Sequence, residues 1–325
     1  IGSLVKTKEK KVKIGIMGYG VVGGTTGKVL GLVHHILPYD RYKAPYNTEK
    51  HLRKLAREAE VVFICVPTPM FKNSGRIDLS AIYHSLETLK QTLVQVKRRD
   101  KDIIVVIRST AVSGTTDKLQ EKYPMFHFVV NPEFLTEKNS LEDMLHTKRV
   151  VIGVYHTENF SGQMAEDRVR GIYQALFPNA QYFVVGIKMA EFFKYASNAM
   201  LAMQVALSNE LAQIAKVLGL DYGQVVEFLL TDPRIGRNIK VPGPDGKYGF
   251  GGKCFPKDLR ALISLSRRKG YRPRLFEAGW DLNLRVRPEQ DRDWTKIDGA
   301  VSEEPAEPKK KSPRHKFKIV KRRTK

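Results

Sequence analysis

Lys13-Ile14-Gly15-Ile16-Met17-Gly18-Tyr19-Gly20-Val21-Val22-Gly23 is a short, mostly apolar run that ends in three spaced glycines. A helical stretch through Thr25 to Leu32 follows at once. The pattern reads as strand, glycine turn, helix. In such a turn the first glycine makes the bend, the second lets a pyrophosphate approach the backbone, and the third lets the helix pack on the sheet. Tyr19, Val21 and Val22 complete this candidate cofactor loop. Asp40 ends the next expected strand, His35–Tyr39, twenty residues beyond Gly20. There it would accept hydrogen bonds from a ribose 2′-OH and favour NAD over NADP, a preference tempered by Arg41. A tight turn with no ligand is the plain alternative.

Outward from this unit the strand pattern repeats. Val61–Val66 is a continuous apolar run, as a buried parallel strand requires. Ile103–Ile107, Phe126–Val130, Val150–Val154 and Tyr182–Val185 are further strands, with helices expected at Leu52–Glu58 and Leu79–Lys97. The chain therefore reads as α/β: a Rossmann-type doubly wound parallel sheet followed by an all-helical domain. Ligands of such sheets bind beyond the strand C-termini. Val66-Pro67-Thr68, Ser109-Thr110 and Asn131-Pro132-Glu133 all lie there. Ser109 and Thr110 could instead cap the helix that follows.

From Met189 to Leu218 there is no Pro or Gly, and apolar residues recur at three and four. One long central helix is expected, closed by Gly219, and it suits a homodimer seam. Lys194 and Asn198 share one face of it, so an ammonium and a carboxamide point the same way and could hold an oxyanion. Alone, the pair reads as easily as a solvated helix face.

Gly249-Phe250-Gly251-Gly252-Lys253-Cys254-Phe255-Pro256-Lys257-Asp258 holds one of only two cysteines. Three glycines followed by Pro256 place Cys254 on a tight loop at a helix start. The helix dipole, Lys253 and Lys257 would favour thiolate over thiol. Asp258 could simply stabilise the first helical turn. Glu133 and Glu137 could order water or act as bases, or be ordinary acids near a helix start.

The 325 residues suffice for two domains. The expected divisions are a basic extension at 1–12, a cofactor domain at 13–187, a helical domain at 188–290 and a basic, disordered tail at 291–325. Two cysteines give no disulfide framework, and the absence of a secretory or membrane-spanning run suits a cytoplasmic protein. Of the net charge of +22, residues 1–13 carry +4 and residues 308–325 carry +10, leaving +8 on the body. The body charge suits an anionic ligand, and the tail suits either a polyanion or plain solvation. No metal is expected.

With these motifs assembled, the chain resembles the UDP-glucose/GDP-mannose dehydrogenase family from about Lys13 to Glu289. Gly249–Asp258 is similar to the family's cysteine motif and Asn131–Glu137 to its substrate loop. Ser109-Thr110, Lys194–Asn198 and Asp232–Gly236 follow in the family's order. The resemblance implies NAD-dependent oxidation of a nucleotide sugar's 6-hydroxymethyl group, through a thiohemiacetal and a thioester on Cys254. It implies that Lys194 and Asn198 stabilise oxyanions and that Asp258, Thr110 and Glu137 hold water. Glu133, Phe134, Leu135, Glu137, Lys194, Asn198, Phe250 and Gly251 would meet substrate, partly by backbone. UDP-glucose is the first candidate. The family's C-terminal nucleotide-binding domain has no counterpart in these residues, Lys253 stands where a small residue is usual, and the Asp40–Leu52 connection is short and Pro-bearing. A cofactor-binding paralogue without turnover and a β-hydroxyacid dehydrogenase are the alternatives.

Overall fold

A computed structural model describes residues 11–98, 103–136, 138–155, 160–288, 294, 297 and 300–304. β1 (Lys13–Met17) leads into α1 (Val21–Leu30), then β2 (His35–Tyr39), α2 (Glu49–Glu58) and β3 (Val61–Ile64). β4 (Met70–Phe71), α3 (Ser80–Gln95), β5 (Ile103–Ile107), α4 (Thr115–Lys122) and β6 (Phe126–Val130) follow. α5 (Ser140–Leu145), β7 (Arg149–Val154), α6 (Phe160–Gln174) and β8 (Gln181–Gly186) complete the sheet region. The seven-stranded sheet has the order β2-β1-β3-β5-β6-β7-β8.

The chain starts at β1, steps out to β2, then returns to β3 on the other side. Strand order thus reverses between β1 and β3, and the crevice above that point is where such sheets take ligands. Gly18 and Val66 flank it directly. Every residue of β3 and β5 is buried, since helices cover both faces. Each large side chain buried this way, such as Phe63 or Leu86, contributes about 1.5–3 kcal/mol.

One junction departs from the expected parallel sheet: β7 runs antiparallel to β6, while β8 is parallel to β7. The reason lies in the connection. α5 is a six-residue helix at the C-terminal end of β6, so the chain never crosses back before β7 begins. The Asn131-Pro132-Glu133 segment is thereby kept at the ligand edge.

α7 (Ile187–Val217) starts directly from β8 with Gly186 as N-cap. It ends where Gly219 takes φ +71° and Leu220 N–H donates to Ala215 O. A buried row of Ala190, Ala199, Ala202 and Ala206 lets neighbours approach closely. α8 (Tyr222–Leu229), α9 (Cys254–Arg268) and α10 (Arg274–Val286) pack around it, with α9 and α10 against its central turns.

The chain after α10 corrects the expectation of a free tail from residue 291. β9 (Val301–Ser302) pairs parallel with β4, Trp294 is buried 4.9 Å from the ring of Trp280, and Ala300 is buried. Aromatic burial and a strand edge in need of a partner hold this segment to the body. Residues 1–10 and 305–325, which include most of both expected basic ends, lie outside the described residues.

Candidate active site

The glycine loop behaves as its spacing demands. Gly18 sits at φ +90°, and a Cβ there would meet the Cys65 carbonyl at 2.8 Å. A Cβ on Gly23 would lie 1.9 Å from Gly18 O, so α1 packs on the loop only because that atom is missing. A Cβ on Gly20 would meet nothing within 4 Å: this is open space at a helix N-terminus with no side-chain cap. Such a cradle fits the pyrophosphate of a dinucleotide. Asp40 lies beside it and accepts from the amides of Tyr19 (2.6 Å), Tyr42 and Lys43. Burial raises its pKa, but these bonds outweigh burial and leave it lowered. The short Pro-bearing connection folds back so that Tyr46 packs edge-on to Tyr19 at 4.7 Å.

A cavity of about 310 Å³ runs from this cradle to the cysteine. Gly20, Val21 and Val22 stand in its wall, as do Val66, Pro67 and Thr68, Thr110, Glu133, Leu135 and Cys254. Cys254 is the first residue of α9, with Lys253 as N-cap. Its pKa is raised, contrary to the expected thiolate. Desolvation is the first cause and the Asp258 carboxylate the next, while Lys194 and Lys257 pull the other way and are outweighed. The other cysteine, Cys65, is buried and its thiol is pushed up to about 12, so it is inert.

Lys194 and Asn198 are not a solvated face: both are buried. Lys194 Nζ pairs with Glu133 Oε1 at 2.9 Å, with each side chain under 10% exposed. Burial opposes the lysine's charge, but Glu133 and then Asp258 outweigh it, and its pKa is raised. Asn198 donates to Asp258 Oδ2 at 2.6 Å, and Lys257 Nζ meets Asp258 Oδ1 at 2.5 Å. Asp258, 1% exposed, is therefore the hub of a buried network.

Ser109 and Thr110 do not cap a helix. Ser109 donates to the carbonyls of Val66 and Ile64, and the N-cap of α4 is Gly114. Thr110 keeps its hydroxyl free of hydrogen bonds among the described residues and lines the cavity. Leu135 N–H donates to Glu133 Oε2, and the Phe134 ring lies 4.6 Å from the Arg149 guanidinium. Glu137 lies outside the described residues.

Phe250 and Gly251 do not line this cavity. Phe250 is buried, and its amide and carbonyl are both taken by Asn283 (2.7 and 3.0 Å), so its backbone is spent on the fold. Arg287 packs flat against Gly251, where a Cβ would lie 2.2 Å from Nη2. Asn209 also accepts from Gly249 N–H. These polar residues fix the loop before Cys254, and their spacing carries no local signal. Glu191 was also not anticipated. It lies three residues before Lys194, and the one sign of it is an acid in an otherwise apolar stretch. Asp232 and Arg234 form an exposed turn pair away from the cavity.

No helix among the described residues is long and apolar enough to cross a membrane.

Residues 38–177 match the NAD binding domain of the UDP-glucose/GDP-mannose dehydrogenase family, and residues 188–285 match its central domain. The chain is 36% identical over 227 residues to a UDP-glucose 6-dehydrogenase of Rickettsia bellii, covering 68% of this chain and 48% of that one. It is 35% identical over 236 residues to a UDP-glucose 6-dehydrogenase of Haloferax volcanii, covering 70% and 52%. It thus spans about half the length of the curated relatives it matches. A UDP-glucose dehydrogenase structure from Pyrobaculum islandicum superposes with TM-score 0.73 at 27% identity, covering 86% of this chain and 70% of that one. A 3-hydroxyisobutyrate dehydrogenase of Mycobacterium tuberculosis shares the fold alone, at 17% identity and TM-score 0.62 over 85% and 94%. Matched across both its sheet and its helical part, the chain belongs to the UDP-glucose/GDP-mannose dehydrogenase family.

Proposed function

We propose that this chain oxidises the 6-hydroxymethyl group of a nucleotide sugar, UDP-glucose first among candidates, to a carboxylate with two NAD⁺ reduced. The observation that supports this is the one cavity bounded by Gly20 at one end and Cys254 at the other. A nicotinamide cofactor, when bound, would supply a hydride acceptor for the alcohol, and a second NAD⁺ in its place would supply one for the thiohemiacetal. The Gly18–Gly23 loop, Asp40 and Val66–Thr68 would hold it.

The protein's groups serve the steps around those two oxidations. Lys194, kept cationic by Glu133, offsets negative charge on the C6 oxygen. The second amide hydrogen of Asn198 remains for the same oxygen. Between the oxidations Cys254 Sγ bonds to the aldehyde carbon, and the thiol proton passes to the new hydroxyl. After the second, water adds to the thioester carbon, the C–S bond breaks and the thiol is restored. Asp258 keeps a lone pair on each oxygen, so it can orient that water with Thr110 and Glu137. Leu135 borders the same cavity.

Purified chain given NAD⁺ and UDP-glucose, other UDP-sugars or GDP-mannose is the test. NADH and the uronate are expected with one of them, and no uronate from Cys254→Ala. Uronate from Cys254→Ala would refute the thiol route. The raised Cys254 pKa supports a second reading, cofactor binding without turnover. Thermal stabilisation by NAD⁺ with no NADH from any sugar would favour it. A hydroxyacid dehydrogenase needs no thiol, so iodoacetamide would leave such an enzyme active.

Met200, Leu207, Leu211 and Ile214 are exposed along one side of α7, which supports a homodimer through that helix. A monomeric mass by light scattering at micromolar concentration would refute this. A reducing, cytoplasmic setting suits the unpaired cysteines. For the basic end, deletion of residues 308–325 should abolish heparin retention and spare turnover.

A further inference from the structure

Glu191 is 2% exposed, yet it forms no ion pair among the described residues. Its Oε2 accepts from Gly114 N–H at 2.6 Å, and its Oε1 accepts from Thr116 N–H at 2.8 Å and Thr116 Oγ1 at 2.7 Å. These are the orphan donors at the start of α4, whose own N-cap, Gly114, has no side chain to offer. An acid from another helix caps α4.

The segment between the two anchors is the one that matters. At its near end, Ser109 is fixed to β3 through its amide and hydroxyl. At its far end, Gly114 and Thr116 are fixed to Glu191, and Ser113 Oγ donates to Lys188 O on the same helix. Thr110 sits between, with its hydroxyl unspent. On α7, Glu191, Lys194 and Asn198 follow at i, i+3 and i+7, which is one stripe of the helix. Glu191, Lys194, Glu133 and Thr110 also border one small void of about 10 Å³.

We infer that Glu191 is a positioning residue: its carboxylate ties the Thr110 loop to the rigid helix that carries Lys194 and Asn198, and so sets Thr110 against the cysteine cavity. The role of Thr110 rests on the proposed dehydrogenase reading; the tie itself does not. The ionisable groups facing Glu191 are Asp117 with its partners Lys188 and Tyr155, Tyr195 on α7, and Arg108, Glu133 and Lys194 across the void. Burial pushes the Glu191 carboxyl up to about 7 against its three hydrogen bonds, so the anion forms near neutrality.

Glu191→Gln tests this. The carboxamide can still accept from Thr116, but its NH₂ faces Gly114 N–H, so one bond becomes donor against donor. Amide exchange at Gly114 and along 110–113 should quicken about tenfold. Exchange in α3, remote from the tie, should not change. Unchanged exchange at Gly114 overturns the inference, whether or not the chain turns over. If the wild type makes no NADH, only the dehydrogenase reading falls. If it does, Glu191→Gln should lower kcat about tenfold with KM for NAD⁺ unchanged, and should lose the limb near pH 7 from the kcat profile. Wild-type kcat and an intact limb would also overturn it.

Discussion

The two ends of the cavity are built by opposite means. The cofactor end is backbone and absence: three glycines, one at positive φ, one facing open space and one whose missing Cβ admits α1. The cysteine end is backed by buried charge: Lys194 against Glu133, and Lys257 and Asn198 on Asp258. A backbone cradle tolerates no side chain but needs no partner. Buried charges need partners, and those come from α7, α9 and the loop after β6. The first end should therefore fail by steric block and the second by lost pairing.

The largest effect belongs to the charged end. Lys194→Met leaves Glu133 buried without its cation and should cost about 3–5 kcal/mol in urea unfolding. Adding Glu133→Leu should recover most of that stability but no activity. Failure of the second change to rescue would mean that the pair is not the unit it looks to be.

Next comes pH. The folded-state pKa of Glu191, about 7, lies above the ordinary 4.5 of a glutamate. The folded state thus holds this proton more tightly than the unfolded one, and the associated stability is full below pH 4.5 and lost as pH rises through 7. The loss is on the order of 3 kcal/mol. It should vanish from the pH–stability curve of Glu191→Gln.

At the glycine end the effects are smaller and separable. Gly23→Ala should cost about 1–3 kcal/mol by overpacking against Gly18. Gly20→Ala should change stability by no more than about 0.5 kcal/mol, yet remove the thermal shift given by NAD⁺. Equal stability losses for the two would erase the distinction drawn between them. The smallest change is kinetic. Asp258→Asn removes a charge that holds the Cys254 pKa up, so iodoacetamide should react faster at pH 7.5, by about tenfold per unit that the pKa falls. Lys257→Met should slow it.

This contrast also explains what could be read in advance. The cradle was legible because its constraints are local: spacing along eleven residues fixes the strand, the bend and the helix start. Cys254, Lys194, Asn198 and Asp258 were legible as a set through resemblance, but not their pairing. Lys194 and Glu133 lie on different elements, and nothing in either neighbourhood specifies the other. The thiolate expectation weighed Lys253 and Lys257 but not Asp258, which sits one helical turn beyond the thiol. Asn283, which holds the Phe250 backbone from thirty-three residues on, has no sign in the local sequence. Glu191 resembled any helix acid because the donors it satisfies belong to another helix. Trp294 and Val301–Ser302 lay in a stretch too short and broken for periodicity to show.

The proposal to test is that one cavity carries an alcohol through two oxidations, the second of them on Cys254. The most direct measurement is NADH formed per UDP-glucose consumed under limiting sugar. The expected ratio is two, with the uronate as the sole product. A ratio of one with free aldehyde from the wild type, or uronate still formed by Cys254→Ala, would contradict it.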